Sequence, residues 1–159
     1  MSGDDMIVLT RAGKEQIEKE LERLCTQERR EVAERIRESK QFGEFSENAE
    51  YEDAKIAQAF VEGRIGDLRR VLQHARVLND DEIPDTHVGL GSIVTIRDTR
   101  TNEDWEVQIV GSVEADPNED RISDQSPVGL ALMDHKVGDT VTVAVPNGKV
   151  QYRIINIRK

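Results

Sequence analysis

Cysteine occurs once in the 159 residues, as Cys25, so the chain cannot close an internal disulfide. The three histidines, His74, His87 and His135, lie far apart and have no cysteine companions, which removes both zinc-ligand spacing and a histidine-based catalytic cluster. Aromatics make up only 4% of the chain, so any core must be built from Ile, Val, Leu and Ala. No apolar run approaches the roughly 18 residues of a membrane span, and no charged-then-apolar leader is visible, so a cytoplasmic protein with no membrane partner is expected. Bases are outnumbered, 22 against 32 acids, for a formal charge of −10. That balance argues against gripping nucleic acid by blanket phosphate neutralisation, which needs clustered Lys and Arg. At 18.0 kDa the chain fits one ordinary domain or two small ones.

Proline is also missing from Thr10 to about Phe42, where the only glycine is Gly13 and Glu, Lys, Arg, Leu and Ala dominate. The segment is expected to form one helix, N-capped by Thr10, with an apolar stripe at Ile17, Leu21, Leu24, Val32 and Ile36 that Glu28 interrupts. At about 1.5 Å per residue it would run roughly 50 Å, longer than a small core can cover. A second stripe, Ala57, Val61, Ile65, Leu68, Leu72 and Ala75, follows between Glu47 and about Arg76 and supplies a partner of similar length. Gly63 and Gly66 lower the intrinsic helicity of that partner, so packing must hold its middle. The short link Gln41–Ser46, with Gly43 at its centre, predicts that the two helices fold back as an antiparallel coiled-coil hairpin.

After Leu78 the period changes. Residues 79–85 form a charged, proline-containing link, and the β-branched runs at 92–96, 105–110, 140–145 and 150–155 alternate as half-buried strands. Asn147-Gly148 marks a hairpin turn between the last two. Ser126-Pro127 opens a short helix over Val128 to Met133. The fold class is therefore α+β: residues 1–78 a helical hairpin, 79–85 a linker, and 86–159 a small, mainly antiparallel sheet domain with one short helix.

Five acids and no base or histidine fall between Gly43 and Asp53, at the predicted hairpin apex: Glu44, Glu47, Glu50, Glu52 and Asp53. Glu47 and Glu50 share one helix face, and Glu44 just before the helix can approach Glu47. Their mutual repulsion is offset by solvent, by Lys40 and Lys55, or by a hard divalent cation that takes oxygen ligands, such as magnesium. Acid-rich first turns are also ordinary helix-dipole design. So few carboxylates on an apex make a poor independent metal cage, so a metal role would require completing a partner's site.

The run Gly43-Glu44-Phe45-Ser46-Glu47-Asn48-Ala49-Glu50-Tyr51, with Ala54-Lys55 and Phe60-Val61-Glu62-Gly63-Arg64-Ile65, resembles the tip and second helix of the bacterial Gre transcript-cleavage factors. Leu9–Gly13, Gly91–Val94, Ser126–Leu132 and Val137–Asp139 are similar to other stretches of that family, so the resemblance covers about residues 7 to 158. It implies a coiled coil that enters the secondary channel of RNA polymerase while an FKBP-like C-terminal domain docks on the channel rim. The protein would not itself be an enzyme. Glu44 and Glu47 would act in trans on the backtracked RNA 3′ end, helping to hold a magnesium ion shared with the polymerase, with no cofactor bound to the factor alone. Gly43, Phe45, Ser46, Asn48, Glu50 and Tyr51 would support the tip. Arg37, Lys40 and Lys55 resemble positions where the family meets extruded RNA, although Glu34 and Glu52 stand three residues before Arg37 and Lys55 as alternative partners. The free protein is expected to be a monomer. One departure bears on activity: the family usually places aspartate where Glu44 stands and leucine where Phe45 stands. Some family paralogues with altered tips occupy the channel without stimulating cleavage, which makes a binding-only regulator the alternative. Trp105 and Tyr152 are too few for the aromatic pocket of a working prolyl isomerase.

Overall fold

The computed structural model describes residues 7–41 and 49–159. They form two compact units, one of Lys14–Ala75 and one in which residues 7–13 join Arg76–Lys159.

The first unit is the helical hairpin. Its leading arm runs as α1 (Arg11–Arg23), a π-helical turn at Leu24–Glu28, and α2 (Arg29–Gln41). The uniform helix read from the sequence is thus broken in register, and the burial pattern gives the reason. Beyond Gly13 in the first turn, the buried positions are Ile17, Leu24, Val32 and Ser39, at steps of seven, eight and seven residues. Two α-helical turns carry about seven residues, so the eight-residue step needs one residue more. The π turn takes it up: the amide of Arg29 donates to the carbonyl of Leu24, five residues back. Glu28, which interrupts the apolar stripe, lies inside this turn.

The returning arm is α3 (Ala49–His74), with Ala54, Val61, Ile65 and Leu68 buried. Ala54 is the deeply buried small residue of its first turns, while Ala57 is half-buried. Each large aliphatic side chain taken from water here contributes about 1.5–3 kcal/mol, which compensates for Gly63 and Gly66. Those two glycines have no neighbour on the side where a Cβ would project. The helix ends at His74, and the residues expected to extend it to Arg76 instead form β2 (Ala75–Val77), paired with β1 (Ile7–Leu9). Three-residue strands are too short to declare a period, so periodicity passes over both.

The second unit is a five-stranded sheet of β3 (Ile93–Asp98), β4 (Asp104–Val110), β5 (Arg121–Ser123), β6 (Thr140–Val145) and β7 (Gly148–Arg158), in the order β5-β4-β3-β7-β6. Every pairing is antiparallel except that of β4 with β5. Val94, Ile96, Val107, Ile109, Val141 and Ile154 fill the core, with Leu132 of α4 (Pro127–Leu132) packed on them. Ser126 caps α4, its hydroxyl accepting from the Gly129 amide at 3.1 Å. The β6–β7 turn departs from the Asn-Gly reading. Val145 pairs with Gly148, so Pro146 and Asn147 are the central residues and Gly148 alone takes positive φ, 136°. A proline ring forbids the positive φ that a type I′ turn needs at its first central position.

Residues 79–85 are knit into this unit. The Asn79 amide donates to Glu82 at 2.9 Å around a single 3₁₀ turn, Ser92 Oγ donates to the carbonyl of Pro84 at 3.1 Å, and Lys159 Nζ to that of Asp80 at 3.3 Å.

Candidate functional site

Six of the residues assigned to the acidic apex, Gly43, Glu44, Phe45, Ser46, Glu47 and Asn48, lie outside the described residues. Their flanks are described. Glu50 is exposed and Tyr51 half-buried in the first turn of α3, where Glu50 and Glu52 face the positive end of the helix dipole. Across from them, Ser39 is buried near the end of α2, its hydroxyl donating to the Ile36 carbonyl at 2.8 Å. Arg35, Glu38, Ser39 and Glu50 line an open recess of about 350 Å³.

The three basic residues read as RNA contacts separate in the structure. Arg37 forms an ion pair with Glu34 on its own helix, the intrahelical alternative. Lys40 and Lys55 are exposed and make no ion pair among the described residues. Arg35, a further cation of the recess, makes no ion pair among the described residues; with Glu38 three residues on, its spacing alone does not distinguish it from a solvated helix face.

Further along, two bidentate pairs join the arms. Arg29 donates to Glu62 at 2.8 and 2.9 Å, and Arg64 to Glu20 at 2.9 and 3.1 Å. The hydrogen bond from Arg29 holds the Glu62 carboxyl below its ordinary range, and the same bond raises the Arg29 guanidinium. Cys25 receives a weak contact from Arg69 at 3.6 Å, in line with an interface residue. On the outer face of α3, Ile56 and Phe60 stand exposed four residues apart, an apolar pair that the buried stripe does not explain.

Among the described residues, no three His, Cys, Asp or Glu side chains gather closely enough to hold a metal. No described helix is long and apolar enough to cross a membrane. Trp105 and Tyr152 are half-buried against the sheet core, and the Trp105 indole N–H donates to Asp120 at 2.8 Å.

A helical hairpin followed by this curled sheet unit defines a class, and two family descriptions cover it. "Transcription elongation factor, N-terminal" matches residues 7–77, and "Transcription elongation factor, GreA/GreB, C-term" matches residues 83–159. The protein is a two-unit factor of the transcription elongation class. Similar relatives include the transcription elongation factor GreA of Acetivibrio thermocellus, 46% identical with all of both chains covered, and that of Thermoanaerobacter pseudethanolicus, 47% identical over 96% of this chain and 98% of the relative. The crystal structure of GreA factor homolog 1 of Thermus thermophilus is 32% identical, covers 97% of this chain and 99% of its own, and has a TM-score of 0.45. The chain belongs to the GreA/GreB family of transcription elongation factors.

Proposed function

We propose that the protein acts on RNA polymerase, its hairpin entering the secondary channel and its acidic apex assisting the polymerase to cleave backtracked RNA at the 3′ end. The observation that carries the reading is full-length identity of 46% to a transcription elongation factor GreA, in a chain whose acid-rich run falls in sequence between the two arms of the helical hairpin. Two features of the hairpin support a partner around it. Ile56 and Phe60 are solvent-facing, and the cations Lys40, Lys55 and Arg35 near the apex make no ion pair among the described residues, which would leave them available to RNA phosphates.

Glu44 and Glu47 are the groups proposed to hold magnesium. A donor set of carboxylates, without histidine or cysteine between residues 42 and 53, suits a hard cation, and the described residues do not complete a cage, so the remaining ligands would come from the polymerase. The ion's contribution, when shared there, is to lower the cost of generating a nucleophilic water and of the charge on the leaving oxygen. This chain's part is to present carboxylates on a rod stiff enough to keep them in place. Arg37, tied to Glu34, contributes to the helix surface more than to RNA.

The test is transcript cleavage in a purified, deliberately backtracked elongation complex at fixed magnesium, comparing polymerase alone with polymerase plus wild type, Glu44→Gln or Glu47→Gln. Acceleration by wild type that both bound variants lose supports the reading. Binding with cleavage at or below baseline overturns it in favour of a channel-occupying regulator, with Glu44 in place of the common aspartate as the first suspect. Glu44→Asp would then restore cleavage.

A further inference from the structure

Both arms of the hairpin carry a local weakness, and the two stand at one level. On the leading arm it is the π turn at Leu24–Glu28, with no buried side chain between Leu24 and Val32. Thr26 adds to it, its hydroxyl donating to the Glu22 carbonyl at 2.8 Å, a back-bond that bends helices. On the returning arm it is Gly63 and Gly66, each a poor helix former. Cross-arm contacts set the alignment. Arg29 meets Glu62, Cys25 meets Arg69 and Glu20 meets Arg64, so the π turn faces the stretch that holds both glycines. A π turn is an identified cause of helix kinks, and glycine frees the backbone of the helix opposite.

Four charges bridge this level. Glu62 and Arg64 are two residues apart on α3 and reach in opposite directions, Glu62 to Arg29 on the apical side of the turn and Arg64 to Glu20 on the other side. Those two partners are about 13 Å apart along the leading arm, so the quartet spans the π turn from end to end. Both pairs are bidentate, which fixes direction as well as distance. A third pair, Arg23 with Glu28 at 2.9 Å, closes over the turn on the leading arm itself. All six side chains are partly open to water, so they contribute little to folding free energy. Their placement around the π turn calls for a different role.

We propose that Glu20, Arg29, Glu62 and Arg64 are positioning residues, a charge lock that holds the hairpin straight at its soft level and so fixes where the apex points. α2 carries the rod about 18 Å beyond Arg29, so a swing of only ~5° at the π turn displaces its end by roughly 1.5 Å. Misplacement on the order of 1 Å can cost about 100-fold in a reaction. Apolar packing does not supply that stiffness here, because the leading arm presents no buried side chain from residue 25 to 31. The effect on cleavage rests on the reading that the apex assists the polymerase, whereas the lock is a property of the free chain.

The experiment compares wild type with Arg29→Glu/Arg64→Glu, which sets like charges against each other in both pairs. The full exchange Glu20→Arg/Arg29→Glu/Glu62→Arg/Arg64→Glu then restores attraction with every sign reversed. Backbone N–H residual dipolar couplings of the full chain report whether α1 and α2 keep one orientation, and helical circular dichroism checks the fold. One alignment tensor is expected to fit α1, α2 and α3 in wild type. In the double variant the couplings of α2 and of the apical half of α3 should be scaled down, and the exchange should recover them. Adding Gly63→Ala/Gly66→Ala to the double variant should recover part of the loss by stiffening the facing helix. If the double variant loses helical signal, Arg29→Gln/Arg64→Gln takes its place with the same scaling expected. Unchanged couplings, no recovery on exchange, or α2 couplings already scaled down in wild type overturn the proposal. In a backtracked elongation complex the double variant should bind polymerase as wild type does and lose roughly 100-fold in cleavage rate at saturation, with recovery on exchange. Weakened binding with an unchanged saturating rate would make the quartet a polymerase contact and overturn the positioning role. A wild type that fails to stimulate cleavage while its couplings behave as expected overturns the polymerase reading and leaves the lock standing.

Discussion

Glu114 holds Thr10 with both carboxylate oxygens, although 104 residues separate them: Oε2 accepts the Thr10 amide at 2.7 Å and Oε1 its hydroxyl at 2.6 Å. The Thr10 oxygen in turn accepts the Gly13 amide at 3.0 Å, which makes the cap of α1 a composite of a local hydroxyl and a distant carboxylate. Glu114 is only 8% exposed, so its charge is compensated by these donors and not by water.

Removing either side of that pair leaves a buried polar group unmatched. Glu114→Ala is expected to lower stability by about 1.5–3 kcal/mol, the range for hydrogen bonds to a charged group. Gly13→Ala is expected to act similarly without touching a hydrogen-bonding atom, because a Cβ there would come within 2.1 Å of Glu114 Oε1 and displace the carboxylate. Urea unfolding of the two variants checks this. Wild-type midpoints in both would show that the pair is dispensable.

Glycines elsewhere predict opposite signs in one assay. At Gly129 a Cβ would sit 2.0 Å from the Ser123 carbonyl oxygen, a backbone atom that cannot step aside, so Gly129→Ala is expected to destabilise the sheet unit by about 1–3 kcal/mol or more. At Gly63 and Gly66 nothing lies within 4 Å, and alanine there is expected to stabilise α3 by up to about 1 kcal/mol each. Circular dichroism melts of the three single variants decide it.

The Arg29–Glu62 pair sets an acid sensitivity for the hairpin. The folded Glu62 carboxyl is held below its unfolded value by the Arg29 hydrogen bond, so the folded state binds fewer protons. Its contribution is therefore present above the ordinary carboxylate pKa, about 4.3, and lost as pH falls through the folded value. Because both groups are exposed the effect is small. A melting temperature followed from pH 7 to 3 should fall less for Glu62→Gln than for wild type; identical slopes would show that the pair carries no linkage.

Much of the architecture is legible in the sequence because burial follows period: Val61, Ile65 and Leu68 lie at helical spacing, and Val94 with Ile96, or Val141 with Val143, alternate as strands. The π turn is half-legible, since Glu28 breaks the stripe but does not say how the helix answers. β5, three residues long and parallel to β4, leaves no period to detect. The composite cap is hidden for a different reason, since its carboxylate is supplied from 104 residues away. At the apex, the acids and the lone lysines are visible as letters, whereas the choice of Arg37 for Glu34 is a matter of side-chain geometry that spacing permits at several positions.

The roles of rod and apex can be pulled apart by two substitutions. Ile65 is buried in the middle of α3, and Ile65→Pro both removes a helix hydrogen bond and drives a ring into the preceding turn, at a cost of about 3 kcal/mol or more. Helical circular dichroism should fall, and transcript cleavage should be lost with the apex acids untouched. Glu47→Gln changes one atom and removes one charge, so helical signal and binding to polymerase should persist while cleavage stimulation disappears. If Glu47→Gln retained full stimulation, the acid at that position would have no part in the chemistry; if Ile65→Pro retained it, a rigid hairpin would not be what delivers the apex. Loss by different routes, one with the fold and one without, is the outcome that assigns delivery to the helices and chemistry to the carboxylate.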